Sequence, residues 1–422
     1  MGWVTVPHGD LWLRRATLPD LSRADLLLSA GRIAAIAPAG TARAGVDLDG
    51  GMVLPGFIDV HTHLDKGHIW PRAPNPDGTF MGALTAVRAD HANWSEADAE
   101  ARFGFGLACS FAHGTTAVRT HIDTYFPHAL GTWRVFRRLR EAWAGRIALQ
   151  GVSICPLDNF DGEDGTAIAN LVASSGGVLG CVVRLSTAGH TTLPDGLAAR
   201  LEKFFALAAE RGLDIDLHVD EDDAPASATL ALIARTAIDT GFRGRVQVGH
   251  CCSLALQPDC AIRQTIALVA EAGLAVVSLP MCNMYLQDRM PGRTPRWRGV
   301  TLLHELAAAG VMVSVASDNC RDPFYAYGDH DMLEVFREAV RIAQLDHPMG
   351  RWPDSIAATP AAVMRLDAGR IAVGAAADLV LLRGRDWSEA LSRSQHDRVV
   401  LRAGRAIDTR LPDYRELDAL MR

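Results

Sequence analysis

Between about residue 53 and residue 365 the chain repeats one pattern eight times: a short apolar run, then a stretch whose apolar positions recur at helical spacing. The strand-like runs are predicted at 53–60, 115–122, 147–154, 180–185, 213–219, 245–250, 274–279 and 311–317. The segments between them, such as Ala97–Phe111, Gly196–Arg211 and Thr301–Ala309, read as helices. Gly212, Gly273 and Gly310 stand where a helix C-cap glycine belongs, just before the next run. Eight strand–helix units over this length predict an α/β fold of the (β/α)8 TIM-barrel type. A doubly wound open sheet is the alternative, but no glycine-rich phosphate loop follows the first strand.

The two ends of the chain read differently. Leu11–Leu18 alternates, and Ala24–Ile36 has the form of a hairpin turning at Ala30-Gly31. Residues 369–374, Ala377–Leu382 and Arg398–Ile407 are again short strand-like pieces with glycine turns. Neither end can bury an apolar face alone. The expectation is a small β-sandwich domain made of residues 1–52 plus 366–422, with the barrel, residues 53–365, inserted between its halves.

At 49% hydrophobic and 22% charged residues, 422 residues are ample for a large core. A net charge of −7 gives no ground for a nucleic-acid or acidic-membrane partner. The eight cysteines form no C-x-x-C pair and no disulfide framework, so buried reduced thiols are expected. No run reaches the roughly 18 apolar residues of a membrane span. The first residues have neither a basic nor an apolar leader region. These features predict a cytoplasmic protein acting on a small molecule, with a homo-oligomer possible.

The chemistry collects at the strand ends, where a barrel keeps its active site. His61 and His63 end the first run and project to one face, as alternate residues of a strand do. His121 and Asp123 end the second, His218 the fifth, His250 the sixth, and Asp318 follows the eighth. Three imidazoles and a carboxylate, from His61, His63, His218 and Asp318, suit one Zn²⁺ or Fe²⁺ ion and would bring a bound water's pKa toward neutrality. Glu221, three residues beyond His218, is placed to take the attacking water's proton and pass it to a leaving nitrogen. His250 would polarise a carbonyl or steady the hydroxide. Asp318 counts as both ligand and catalytic group. Strand four ends Arg184-Leu185-Ser186, with no lysine for a carboxylated bridge, so a mononuclear site is expected. Lys66 is then a substrate-charge, salt-bridge or solvated group.

The stretches 56–63, 218–221, His250 and Ser317-Asp318 together resemble the amidohydrolase superfamily. Over nearly its whole length the chain is similar to the bacterial cytosine deaminase group, with matches at 63–65, 118–123, 216–222, 283–289, 298–301, 322–328 and 331–333. The resemblance implies a distorted barrel with a flanking β-sandwich and one divalent metal on His61, His63, His218 and Asp318. It also implies that Glu221 shuttles protons, that His250 assists the hydroxide, and that ammonia leaves a ring carbon from a tetrahedral intermediate.

Two departures bear on the substrate. Leu157 follows Cys155-Pro156 where cytosine deaminases carry a ring-reading glutamine, and a leucine neither donates nor accepts. Asn319 stands where they usually have a second aspartate, so Ser317–Asp322 looks more like the N-isopropylammelide amidohydrolases. Phe324 replaces a tryptophan on the pocket wall. With Leu157 and Asn319 it makes up the expected substrate contacts. The Pro-rich segment 67–78 reads as a lid over the barrel mouth or as a plain structural loop. The leading expectation is a metal-dependent deaminase of cytosine or a related pyrimidine- or purine-type ring. Release of an amine from a triazine, pterin or cyclic-amide ring is the alternative, and a catalytically silent ligand-binding barrel the remote one.

Overall fold

The computed structural model describes residues 2–183 and 193–421. Near the N-terminus, β1 (Leu11–Thr17), β2 (Arg23–Ser29), β3 (Arg32–Pro38) and β4 (Val46–Asp47) form a four-stranded sheet in the order β3-β2-β1-β4. The turn between β2 and β3 is Ala30-Gly31, both at positive φ (49° and 78°), the backbone a two-residue hairpin with the right twist requires.

The first predicted strand of the barrel is in fact two. β5 (Val53–Pro55) runs antiparallel to β14 (Leu379–Leu381) in a second four-stranded sheet, β16-β15-β14-β5, completed by β15 (Val399–Arg402) and β16 (Arg405–Ala406). Gly56 ends the run and lets β6 (Phe57–Thr62) turn into the barrel. A Cβ at Gly56 would lie 2.3 Å from Thr116 Cγ2, so no other residue fits this crossing without movement. Residues 369–374, expected as a strand, form none; the Arg32–Ala376 bridge and the hydrogen bonds Gly374 N–H to Ile33 O and Ile33 N–H to Ala375 O tie that region to β3. The two terminal sheets face each other over one core. Leu13, Leu26 and Leu28 come from the first sheet, and Val53, Leu379, Leu381 and Leu401 from the second.

The barrel strands are β6, β7 (Thr115–Asp123), β8 (Ala148–Ile154), β9 (Leu179–Val183), β10 (Ile215–Val219), β11 (Val246–His250), β12 (Ala275–Ser278) and β13 (Met312–Val315). They form parallel sheets β6-β7-β8 and β13-β12-β11-β10-β9. Parallel bridges Val152–Val178 and Pro156–Val182 join β8 to β9, and Thr62–Asp318 joins β6 to the segment after β13, so the ring closes. The strands are buried on both faces, as a helix-wrapped parallel sheet must be. Helices Glu96–His113, Leu197–Glu210 and Leu303–Ala308 lie where their periodicity predicts them.

Candidate active site

The C-terminal ends of the barrel strands bring together all the strand-end residues singled out by the sequence. His61 Nε2 lies 3.2 Å from His218 Nε2, which lies 3.4 Å from His63 Nε2. Asp318 Oδ1 is 3.1 Å from His63 Nε2 and 3.5 Å from His61 Nε2. All four residues are at most 5% exposed. The cluster is held by backbone chemistry. Asp318 N–H donates to His61 O at 2.9 Å and Thr62 Oγ1 donates to Asp318 O at 2.8 Å, pinning the first strand to the last. Asp59 sits beneath, accepting from the His61 and Ser317 N–H groups and from the Ser317 hydroxyl; burial pushes its carboxyl up to about 6. Gly249 leaves room for the His61 ring, since a Cβ there would stand 3.1 Å from Cε1.

Burial holds His63 and His218 far below the ordinary histidine range, aided by the Lys66 charge and by the neighbouring imidazoles respectively. Neutral rings with free lone pairs are what metal ligation needs. Burial alone would raise Asp318, but contacts from His61 and His63 outweigh it and keep this group a carboxylate. Asp318 also adopts a positive φ of 61°, backbone strain of the kind that gathers at functional sites.

His121 joins the cluster more closely than the sequence suggests, with its ring centroid 3.9 Å from that of His61. It stands on a buried polar layer: Asp216 lies 3.4 Å from its Nε2 and accepts from Arg119 (2.9 Å) and Gln247 (2.8 Å). On the other side, His250 also has a positive φ of 71° and is pushed down by burial to about 3. Asn283, whose role the sequence does not betray, connects the expected catalytic pair. Its Nδ2 lies 2.9 Å from His250 Nδ1 and 3.4 Å from Glu221 Oε1, while His250 Nδ1 and Glu221 Oε1 are 3.5 Å apart. With the amide donating, neutral His250 accepts at Nδ1 and carries its proton on Nε2. Asn283 opens the 283–289 match and stands on the helix Pro280–Leu286 that follows β12, but neither signal names its partners.

These groups open onto a cavity of about 480 Å³ lined by His63, His218, Glu221, His250 and Asp318. Leu157, Asn319 and Phe324 line it too. Asn319 is already engaged, donating to Asp322 Oδ2 at 2.6 Å. Lys66 is neither solvated nor unpaired: it bonds Asp123 Oδ1 at 2.8 Å, and although burial opposes its charge, Asp123 and Asp65 raise its pKa. The cover is not the 67–78 loop, none of whose residues lines the cavity. It is the helix that follows, Phe80–Asp90, through Phe80, Met81, Leu84, Val87 and Arg88. The end of strand four, with its missing lysine, lies outside the described residues.

Among the described residues no helix is long and apolar enough to cross a membrane. Comparison with known proteins places this geometry in a family. The model of the amidohydrolase family matches residues 44–134 and 162–407. Pterin deaminase of Rhizobium rhizogenes is 55% identical over 408 residues, covering 95% of this chain and 91% of the relative. N-isopropylammelide isopropyl amidohydrolase of a Pseudomonas species is 25% identical, over 87% and 89% of the two chains. Among solved structures, 5-methylcytosine deaminase from Klebsiella pneumoniae superposes with a TM-score of 0.83 at 24% identity, covering 94% and 97% of the chains. Enzymes of the family bind a divalent metal, and the donors here fit one. His61, His63, His121 and His218 offer nitrogens within 4.8 Å of one another, and both Asp318 oxygens are buried without a hydrogen-bond partner. Because the family model spans most of the chain and a relative shares more than half its residues, the chain belongs to the amidohydrolase family, among its C–N hydrolases that deaminate nitrogen heterocycles.

Proposed function

We propose that the substrate is a pterin, whose 2-amino-4-oxopyrimidine ring is fused to a second ring, and that water replaces the amino group to give the 2,4-dioxo ring and ammonia. The 55% identity to a pterin deaminase along nearly the whole chain carries this reading. The cavity supports it: a cavity of about 150 Å³ holds a single benzene ring, and about 480 Å³ leaves room for a fused bicycle. Leu157 gives the second ring an apolar wall where a single-ring pyrimidine would want a hydrogen-bonding group. Cytosine, the simpler expectation, shares the amino-substituted ring but would leave much of this space unfilled.

His61, His63, His218 and Asp318 would hold one divalent ion, zinc or iron, with His121 alongside. When bound, that ion supplies Lewis acidity and an acidified water. The chain's own groups do the rest. Glu221, in the cavity wall, takes a proton from the attacking water and returns it to the departing nitrogen, which must leave as ammonia rather than amide ion. His250, with its proton on Nε2, would donate to the attacking oxygen and steady it as the ring carbon becomes tetrahedral and the electron pair moves onto the ring nitrogen, and Asn283 keeps that tautomer in place. Phe80 and Phe324, ring centroids 5.3 Å apart, offer faces and edges for a flat ring.

The test is ammonia release from pterin, cytosine and an N-alkyl ammelide by chelator-treated and by zinc- or iron-reloaded protein. The expected result is ammonia from pterin only, lost on chelation and regained on reloading. Turnover of cytosine ahead of pterin, or alkylamine from the ammelide, would overturn the assignment.

A further inference from the structure

Behind the catalytic cluster lies a second set of soft donors that the reaction does not use. His68 follows the first barrel strand by a few residues, Cys320 comes two residues after Asp318, and His330 precedes the helix Met332–Ala343. All three are at most 2% exposed, and one donor atom from each lies within 4.8 Å of the others. We propose that His68, Cys320 and His330 form a second metal site, of the zinc class, distinct from the catalytic one.

The catalytic cluster itself supplies the comparison. There, ring nitrogens of different histidines approach to 3.2 and 3.4 Å, and the Nδ1 atoms of His61, His63 and His218 have no hydrogen-bond partner. The second set shows the same signature. His68 Nε2 and His330 Nε2 are 3.3 Å apart, and both Nδ1 atoms are buried without a partner. Burial keeps both rings neutral, His330 at about 4 and His68 well below the usual value, so their lone pairs are available. The two histidines adopt positive φ angles of 66° and 55°, and the backbone is arranged around the set. His68 N–H donates to Cys320 O at 3.0 Å, and Trp70 N–H to Arg321 O at 2.8 Å. The wall facing His330 is Gly106, where a Cβ would come within 3.0 Å of His330 Nε2. Two imidazoles and a thiolate suit zinc, whereas hard ions take oxygen. An ion there would tie the loop after β6 to the loop after β13, the two loops that carry His63 and Asp318.

The experiment uses cobalt as the probe. The full chain is stripped with chelator, reloaded with excess Co²⁺, desalted, and read by elemental analysis and near-ultraviolet absorption. Two cobalt ions per chain are expected, with a thiolate-to-cobalt charge-transfer band. Cys320→Ser should fall to one ion and lose the band. His61→Ala should also fall to one but keep the band, which separates this site from the catalytic one. The wild-type band needs no variant, so a poorly folding Cys320→Ser does not spoil the test, and His330→Gln provides a second. One ion per chain without the band overturns the proposal, as does a second ion that brings no band or survives in both variants.

Discussion

Glu221→Gln keeps the shape of the cavity wall and removes only the proton carrier. The expected outcome is a fall in kcat of about a hundredfold to ten-thousandfold with metal content unchanged. Steady-state kinetics beside elemental analysis checks it, and full activity would leave Glu221 no role in proton transfer. Asn283 allows a sharper test, because it acts through another residue. Asn283→Ala deletes the amide that donates to His250 Nδ1. Asn283→Asp presents an acceptor there, favouring the opposite tautomer and withdrawing the Nε2 proton from the site. The aspartate variant is therefore expected to lose more kcat than the alanine variant, with a changed pH–rate profile. Equal losses would show that the amide only fills space. At this scale the sequence was legible where one strand carries its own signal, as in His61-Thr62-His63 or the Asp318 strand end. It was not legible where function depends on a contact across the barrel. Asn283 meets His250 from 33 residues away and Glu221 from 62, and no local pattern encodes such a meeting.

Among the elements, the helix Phe80–Asp90 decides what the cavity admits. Thr79 caps it, its hydroxyl accepting from Gly82 N–H at 3.0 Å. The helix packs with Phe80, Ala83, Leu84 and Val87 against Ile69, Cys282, Leu286 and Phe324. Losing such a cap costs about 1 kcal/mol, and the first turn is the part over the substrate. Thr79→Ala is thus expected to raise KM severalfold while changing kcat by less than about twofold, since a loosened helix loses contacts made alike to ground and transition states. An equal fall in kcat and kcat/KM would instead mean that the helix takes part in the chemical step. The Pro-rich stretch before this helix drew attention because proline and glycine mark loops in any sequence. That the following turn of helix forms the cover depends on tertiary packing. The same holds for the split of the first predicted strand: periodicity shows one apolar run from Val53 to Val60, whereas the change of sheet at Gly56 rests on contacts distant in sequence, the pairing of β5 with β14 and the Thr116 methyl packed against Gly56.

Across the whole molecule, the terminal sheets are joined to the barrel by an ion pair that resists acid. Arg398, just before β15, holds Asp331, the N-cap of the helix Met332–Ala343, through Nη1 at 2.7 Å and Nη2 at 2.6 Å. The side chains are 4% and 11% exposed, so solvent screens them little. Burial opposes the Asp331 charge, but Arg398 and then His113 outweigh it and take the carboxyl well below its ordinary range. A depressed carboxylate stabilises the folded state fully above its unfolded pKa, about 3.9, and loses that contribution as the pH falls toward the folded pKa. Arg398→Met leaves a buried carboxylate facing only His113 and its own cap hydrogen bond, and breaking such a pair costs about 3–5 kcal/mol. Because the stranded carboxyl now prefers its proton, acid relieves the variant before it harms the wild type. The deficit of Arg398→Met in denaturant midpoint is therefore expected to be widest near neutral pH and to shrink steadily on the way to pH 3. A deficit that stays constant across that range would mean that the guanidinium serves through its bonds to the His113, Ser394 and Gln395 carbonyls, and that Asp331 contributes no charge to the joint.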